Sequence, residues 1–162
     1  MVILTDVLKA IVAILVSVWL GGLFDPRILP TTPLENQAMI LVFFKYWGGL
    51  FCLLGHMFPC MFHFKGGKGI LSGGTIAIMI DWRVALVVWG GFLILAVLTR
   101  YVSLGSCWAG ASFPFITWFV YRSVPVTVLA VIIGGLILYM HRGNIHRLLT
   151  GTENKFTLHK KS

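Results

Sequence analysis

Residues 124–140 read VPVTVLAVIIGGLILYM, a run without a single charge, and the next two residues are His141 and Arg142. An uncharged run of this length that stops at basic residues reads as a membrane span ending at a headgroup interface. The pattern recurs toward the N-terminus. Residues 3–24, 38–61, 84–98 and 107–121 are apolar, and Ile70–Ile80 is apolar but only half as long as a span needs. Short polar segments separate them. Pro26, Pro30 and Pro33 punctuate the loop 25–37, Asp81-Trp82-Arg83 makes a turn, and Pro114 predicts a kink in 107–121.

Composition supports the same fold. The chain is 58% hydrophobic and 11% charged, where a soluble domain carries roughly 45–50% and about 25%. Lipid-facing side chains must be apolar, which explains both departures. The expected fold class is all-α: a polytopic membrane protein of about five membrane-embedded helical segments, some short or broken. We expect residues 1–162 to form a single integral membrane domain, with a basic tail from about residue 141. The first apolar stretch lacks a basic leader and a small-residue cleavage site, so it reads as a retained span.

The net charge of +8 is spread over the ends of apolar stretches. That distribution excludes a nucleic-acid groove and points to anionic headgroups on the cytoplasmic side. Cys52, Cys60 and Cys107 lie in apolar or turn contexts and read as free packing residues. No metal-ligand set and no cofactor motif is expected. Asp6 and Lys9 are one helical turn apart and can face one another.

Three polar islands remain, and alternation of the spans lets all three reach one face of the bilayer. The first runs from Gly55-His56 through Lys65-Gly66-Gly67-Lys68-Gly69. Consecutive glycines allow backbone N–H groups to converge on an anion, a helix starting at Ile70 adds its positive end, and Lys65 and Lys68 add charge. The plain alternative is a basic glycine turn. Gly69 follows Lys68 where a Walker A loop requires Ser or Thr. The second island offers Arg100 as an anion clamp with Ser103 and Ser106 as donors, or else an arginine that merely snorkels. The third holds His141, Asn144, Arg147 and Glu153. His141 and Asn144 share a helix face, and the alternative is a solvated tail on anionic lipid.

Taken in order, these segments resemble one family. Gly55-His56-Met57-Phe58-Pro59 with Phe64-Lys65-Gly66-Gly67-Lys68-Gly69 is similar to the glycine-rich motif of the bacterial acyl-phosphate-dependent glycerol-3-phosphate acyltransferases, the PlsY family. Thr99-Arg100-Tyr101-Val102-Ser103-Leu104-Gly105-Ser106, and His141-Arg142-Gly143-Asn144 through Gly151-Thr152-Glu153-Asn154-Lys155, resemble two further segments. Thr5-Asp6-Val7-Leu8-Lys9 resembles an Asp-x-x-Lys-Gly segment, with Ala10 in place of the glycine.

The resemblance implies transfer of an acyl group from acyl phosphate to the 1-hydroxyl of glycerol 3-phosphate, forming lysophosphatidic acid at the cytoplasmic face of a bacterial membrane. It implies that Lys65 to Gly69 bind substrate phosphate, that His141 and Asn144 are active-site residues, and that His56 and Glu153 support the site. Its implied partners are the two substrates and membrane lipid. Acyl phosphate is already activated, so positioning and charge stabilisation can supply most of the acceleration. The family pattern also contains a first helix and a Ser/Arg motif with a Gly-Ser-Gly-Asn run. Ser17 and Arg27 do not sit in that pattern. The expectation is therefore weak or no acyl transfer by the chain as written. The alternatives are a non-catalytic member that binds phosphorylated lipid or supports another membrane protein, and a small transporter of phosphorylated solutes.

The basic tail carries the topology. Cysteines introduced after His141 are expected to react with an impermeant reagent only in inside-out vesicles, and labelling in intact cells would reverse the orientation.

Overall fold

The computed structural model describes residues 2–24, 34–64 and 66–156. Among these the chain is helical throughout: α1 (Val2–Phe24), α2 (Leu34–Met57), α3 (Ile70–Ile80), α4 (Trp82–Thr99), α5 (Val102–Tyr121), α6 (Val124–Met140) and α7 (Arg142–Leu149). Among the described residues a 3-10 turn also occupies Cys60–Phe62. The fold class is as expected. Segments Ile3–Leu23, Gln37–Met57 and Trp82–Thr99 are long and apolar enough to span, and α6 with α7, bent by 60°, has the length and composition of a broken span or a re-entrant loop.

Helix boundaries follow local chemistry. α2 stops at Met57, four residues before the end of the apolar run, because Pro59 has no N–H and pushes its predecessor out of helical space. Asp81 alone separates α3 from α4. It is extended, and its side chain accepts from the Arg83 N–H at 2.8 Å as an N-cap. Arg100 and Arg122 end α4 and α5 in the left-handed region, at φ 62° and 49°, where glycine is the usual residue. The island 99–106 is mostly helix rather than loop, since α5 begins at Val102. Residues Arg142–Leu149 form the helix that the spacing of His141 and Asn144 suggested.

The exterior is apolar, with Leu8, Leu15, Trp19, Leu93, Val97 and Phe119 exposed to lipid. Inside, helices pack through small residues, as membrane helices do where lipid gives no hydrophobic drive. Gly74 faces Trp89, whose Nε1–H donates to the Gly74 carbonyl at 3.1 Å. Gly91 faces Trp108 in the same way, with that indole donating to the Val87 carbonyl at 3.1 Å. Gly134 of α6 sits on the Gly110 carbonyl of α5, which Pro114 leaves without its usual i+4 donor. Buried polar groups find partners: the Tyr46 and Thr117 hydroxyls meet at 2.7 Å, and Lys45 Nζ donates to the Ile80 carbonyl at the end of α3 at 3.3 Å.

A Cβ at Gly134 would lie 2.3 Å from the Gly110 oxygen, whereas one at Gly135 would meet nothing within 4 Å. Gly134→Val is therefore expected to destabilise the α5–α6 pair by about 1–3 kcal/mol. Gly135→Val should be close to neutral. Unfolding curves in mixed micelles provide the check, and equal effects at both positions would contradict this packing.

Candidate functional site

The site lies where α3, α5 and α7 begin. A Cβ at either Gly73 or Gly110 would touch the same side chain, Ile137, so the two glycines stand at one level. From that level α3 runs back three residues to Ile70, about 5 Å, while α5 runs back eight residues to Val102, about 12 Å. The glycine loop is thus recessed between the first turns of α5 and the bend at His141.

The loop is shaped by the end of α2. Gly66 N–H donates to the Met57 carbonyl at 3.1 Å and Gly67 N–H to the His56 carbonyl at 3.2 Å. These bonds cap two carbonyls that the helix leaves unpaired. A Cβ on Gly66 would lie 2.0 Å from the His56 oxygen, so only glycine fits. Gly69 enters α3 at φ 74°, buried against Leu53 and Met57. The N–H groups of Gly66 and Gly67 are therefore committed, and the donors left for an anion are those of the first turn of α3. Lys65 lies outside the described residues.

Lys68 is exposed, and its Nζ donates to Asn144 Oδ1 at 2.6 Å. Asn144 is buried, and its Nδ2 donates to Glu153 Oε1 at 2.8 Å. Arg147, one turn further along α7, donates through Nε to Glu153 Oε2 at 2.6 Å. A chain of charge-assisted bonds thus joins glycine loop, α7 and tail. The Ser103 hydroxyl is buried beside Glu153, but the geometry falls short of a formed hydrogen bond and it has no partner among the described residues. The dipole of the adjacent Ser103 hydroxyl, then the bonds donated by Asn144 and Arg147, hold the Glu153 carboxyl down to about 2.

His141 is only 3% exposed and forms the corner between α6 and α7. Its Nδ1 lies 2.8 Å from the Ile137 carbonyl, which can only accept, so the neutral ring carries its proton on Nδ1 and presents Nε2 as an acceptor. Arg100 stands at the site end of α4. Its carbonyl accepts from Phe156 N–H at 2.7 Å, while its exposed guanidinium has no partner among the described residues. Ser106 is buried and donates back to Val102 O within its own helix at 3.1 Å. His56 lies on the α1 side of the loop with Asp6 and Lys9.

A small apolar cavity of about 10 Å³ lies directly below, lined by Ile70, Gly73, Trp89, Phe92, Ile133 and Ile137. Spacing could not reveal it, because its walls come from helices distant in sequence. The Arg147–Glu153 pair is a local salt bridge of the kind a lone acid in a basic tail leads one to expect.

The family model described as glycerol-3-phosphate acyltransferase matches residues 1–151. The chain belongs to this family. A glycerol-3-phosphate acyltransferase of Fusobacterium nucleatum is 39% identical over 108 residues, 67% of this chain and 56% of that protein. One of Aquifex aeolicus is 41% identical over 138 residues, 82% of this chain and 67% of that protein. The chain thus spans little more than half the length of the first of these relatives. Crystal structures of PlsY, an integral membrane glycerol 3-phosphate acyltransferase, match in a glycerol 3-phosphate form with a TM-score of 0.63 and in a lysophosphatidic acid form with 0.62. Both are 27% identical and align over 97% of this chain and 96% of theirs.

The depressed Glu153 carboxyl makes a pH prediction. The folded value of about 2 lies below the ordinary 4.5, so its stabilising contribution is complete above about 4.5 and is lost as pH falls through about 2. Glu153→Gln should lower thermal stability at neutral pH and shrink the loss of stability between those limits. Parallel melting-versus-pH curves for the two proteins would contradict this.

Proposed function

We propose that the chain binds glycerol 3-phosphate and acyl phosphate at the recessed loop and transfers the acyl group to the 1-hydroxyl, making lysophosphatidic acid. The observation that carries this reading is the hydrogen-bonded chain of Lys68, Asn144, Glu153 and Arg147 beside the first turn of α3, with apolar walls beneath it. Lys68 and the first turn of α3 suit a phosphate, and the apolar walls at Ile70 and Ile137, closed to about 10 Å³, would part to admit an acyl chain. The site end also carries Arg100, Arg142, Arg147 and Lys155, against Arg83 and Arg122 at the other end, which supports a cytoplasmic site and C-terminus.

The roles divide by geometry. Lys68 neutralises phosphate charge. Asn144 uses both ends of its amide to hold Lys68 against the Glu153–Arg147 pair. The Nε2 lone pair of His141 orients the attacking hydroxyl by accepting its hydrogen bond. The hydroxyl oxygen bonds to the acyl carbon, the bond from that carbon to the phosphate oxygen breaks, and the departing phosphate carries away the hydroxyl proton. The exposed Arg100 guanidinium would meet the second phosphate.

Lys68→Ala should weaken glycerol 3-phosphate binding by about tenfold to a hundredfold, the cost of a charged hydrogen bond. Asn144→Leu should weaken it less, by freeing Lys68. Calorimetric titration of the micellar protein measures both, and product formation from the two substrates tests the reaction. A wild-type chain that binds no glycerol 3-phosphate would overturn the proposal.

A further inference from the structure

On the α1 side of the glycine loop, Lys9 Nζ bonds both Asp6 Oδ1 and His56 Nδ1, and His56 Nδ1 lies 3.7 Å from Asp6 Oδ1. The side chains of Asp6 and His56 are only 14% and 16% exposed. An ammonium has hydrogens to give and no lone pair to offer, so His56 Nδ1 must accept. The ring proton is then on Nε2. That atom stands over Gly67, where a built Cβ would come within 2.3 Å of it. Nε2 has no partner among the described residues and borders an open pocket of about 610 Å³ lined also by Lys9, Cys52, Gly55, Gly66 and Gly67. The loop amides are spent on α2. His56 Nε2–H is therefore the side-chain donor left at this pocket, with the Lys9 ammonium behind it.

We infer that Asp6, Lys9 and His56 form a second phosphate-binding arm, in which Lys9 fixes the His56 tautomer and His56 Nε2–H donates to a phosphate oxygen of one of the two substrates. The inference rests on the phosphate-binding reading above. His56 touches the ligand, while Lys9 and Asp6 are positioning residues that act through it. The arrangement also accounts for glycine at position 67, because any side chain there would cover the donor. Without the Lys9 proton, Nδ1 would be free to carry the ring hydrogen toward Asp6. Nε2 would then turn a lone pair toward the phosphate and repel it.

Nitrogen NMR of ring-labelled histidine in bilayers tests this directly, with His56→Ala identifying the signal. The wild-type ring should be the Nε2–H tautomer, and its Nε2 resonance should move on addition of glycerol 3-phosphate or of a non-hydrolysable acyl phosphonate. Whichever ligand moves it names the substrate whose phosphate is held. Lys9→Met should shift the ring toward Nδ1–H and weaken that ligand by about tenfold, the worth of one hydrogen bond to a charged group. Lys9→Arg should restore both. If Lys9→Met fails to insert, His56→Gln, which can still present an N–H, should retain affinity that His56→Ala loses. A wild-type Nδ1–H tautomer, or ligand binding that depends on Lys68 but leaves the His56 signal and the His56→Ala affinity unchanged, would remove this arm alone. Absence of binding by either ligand to the wild type would remove the phosphate reading with it.

Discussion

The carbonyls of His56 and Met57 need donors, and the donors are the N–H groups of Gly67 and Gly66. Within a membrane protein an unpaired backbone carbonyl costs several kcal/mol if it is kept from water. The chain answers by folding its glycine loop back over the end of α2. No side chain fits at Gly66 when that bond is made. This one closure places Lys68 beside Asn144, starts α3 below the level of its neighbours, and leaves His56 leaning on Gly67. The site is recessed because the loop has been drawn in to cap a helix.

Charge then links what the loop has brought together. Lys68, Asn144, Glu153 and Arg147 alternate donor and acceptor across three segments. Asn144 is the joint: its carbonyl oxygen serves the lysine and its amide nitrogen serves the carboxylate. Glu153 is 8% exposed, yet it keeps its charge because its neighbours donate to it. Asp6 repeats the arrangement on the opposite side of the loop, with Lys9 between it and His56. Each buried carboxylate at this end of the bundle thus sets the direction of a cation and, through it, of a neighbouring side chain.

Below the polar end, the fold relies on fit. Trp89 and Trp108 each fill the space above a glycine and give their indole hydrogen to a backbone carbonyl of the facing helix. Gly110 and Gly134 bring α5 and α6 close enough for backbone to meet backbone. Gly74, which holds Trp89, also lines the small apolar cavity beside Gly73, so tight packing is what keeps that cavity closed.

Hydropathy alone determined that the chain is helical and membrane-embedded, because a bilayer leaves few ways to satisfy a backbone and each span must be written as an uninterrupted apolar run. Local chemistry also made the short α3, the Asp81 turn and the Asp6–Lys9 pair legible, since each depends on residues within a turn or two. The order of the polar islands was enough to recognise the family. Only the tertiary structure decided that Gly66 and Gly67 spend their amides on α2 and that α5 starts early enough to bury Ser103. It alone paired Lys68 with Asn144 and Lys9 with His56, residues 76 and 47 positions apart. Periodicity says which face of a helix is polar, but contacts of that range depend on how helices cross, and crossing is set by the summed packing of many side chains rather than by any local pattern.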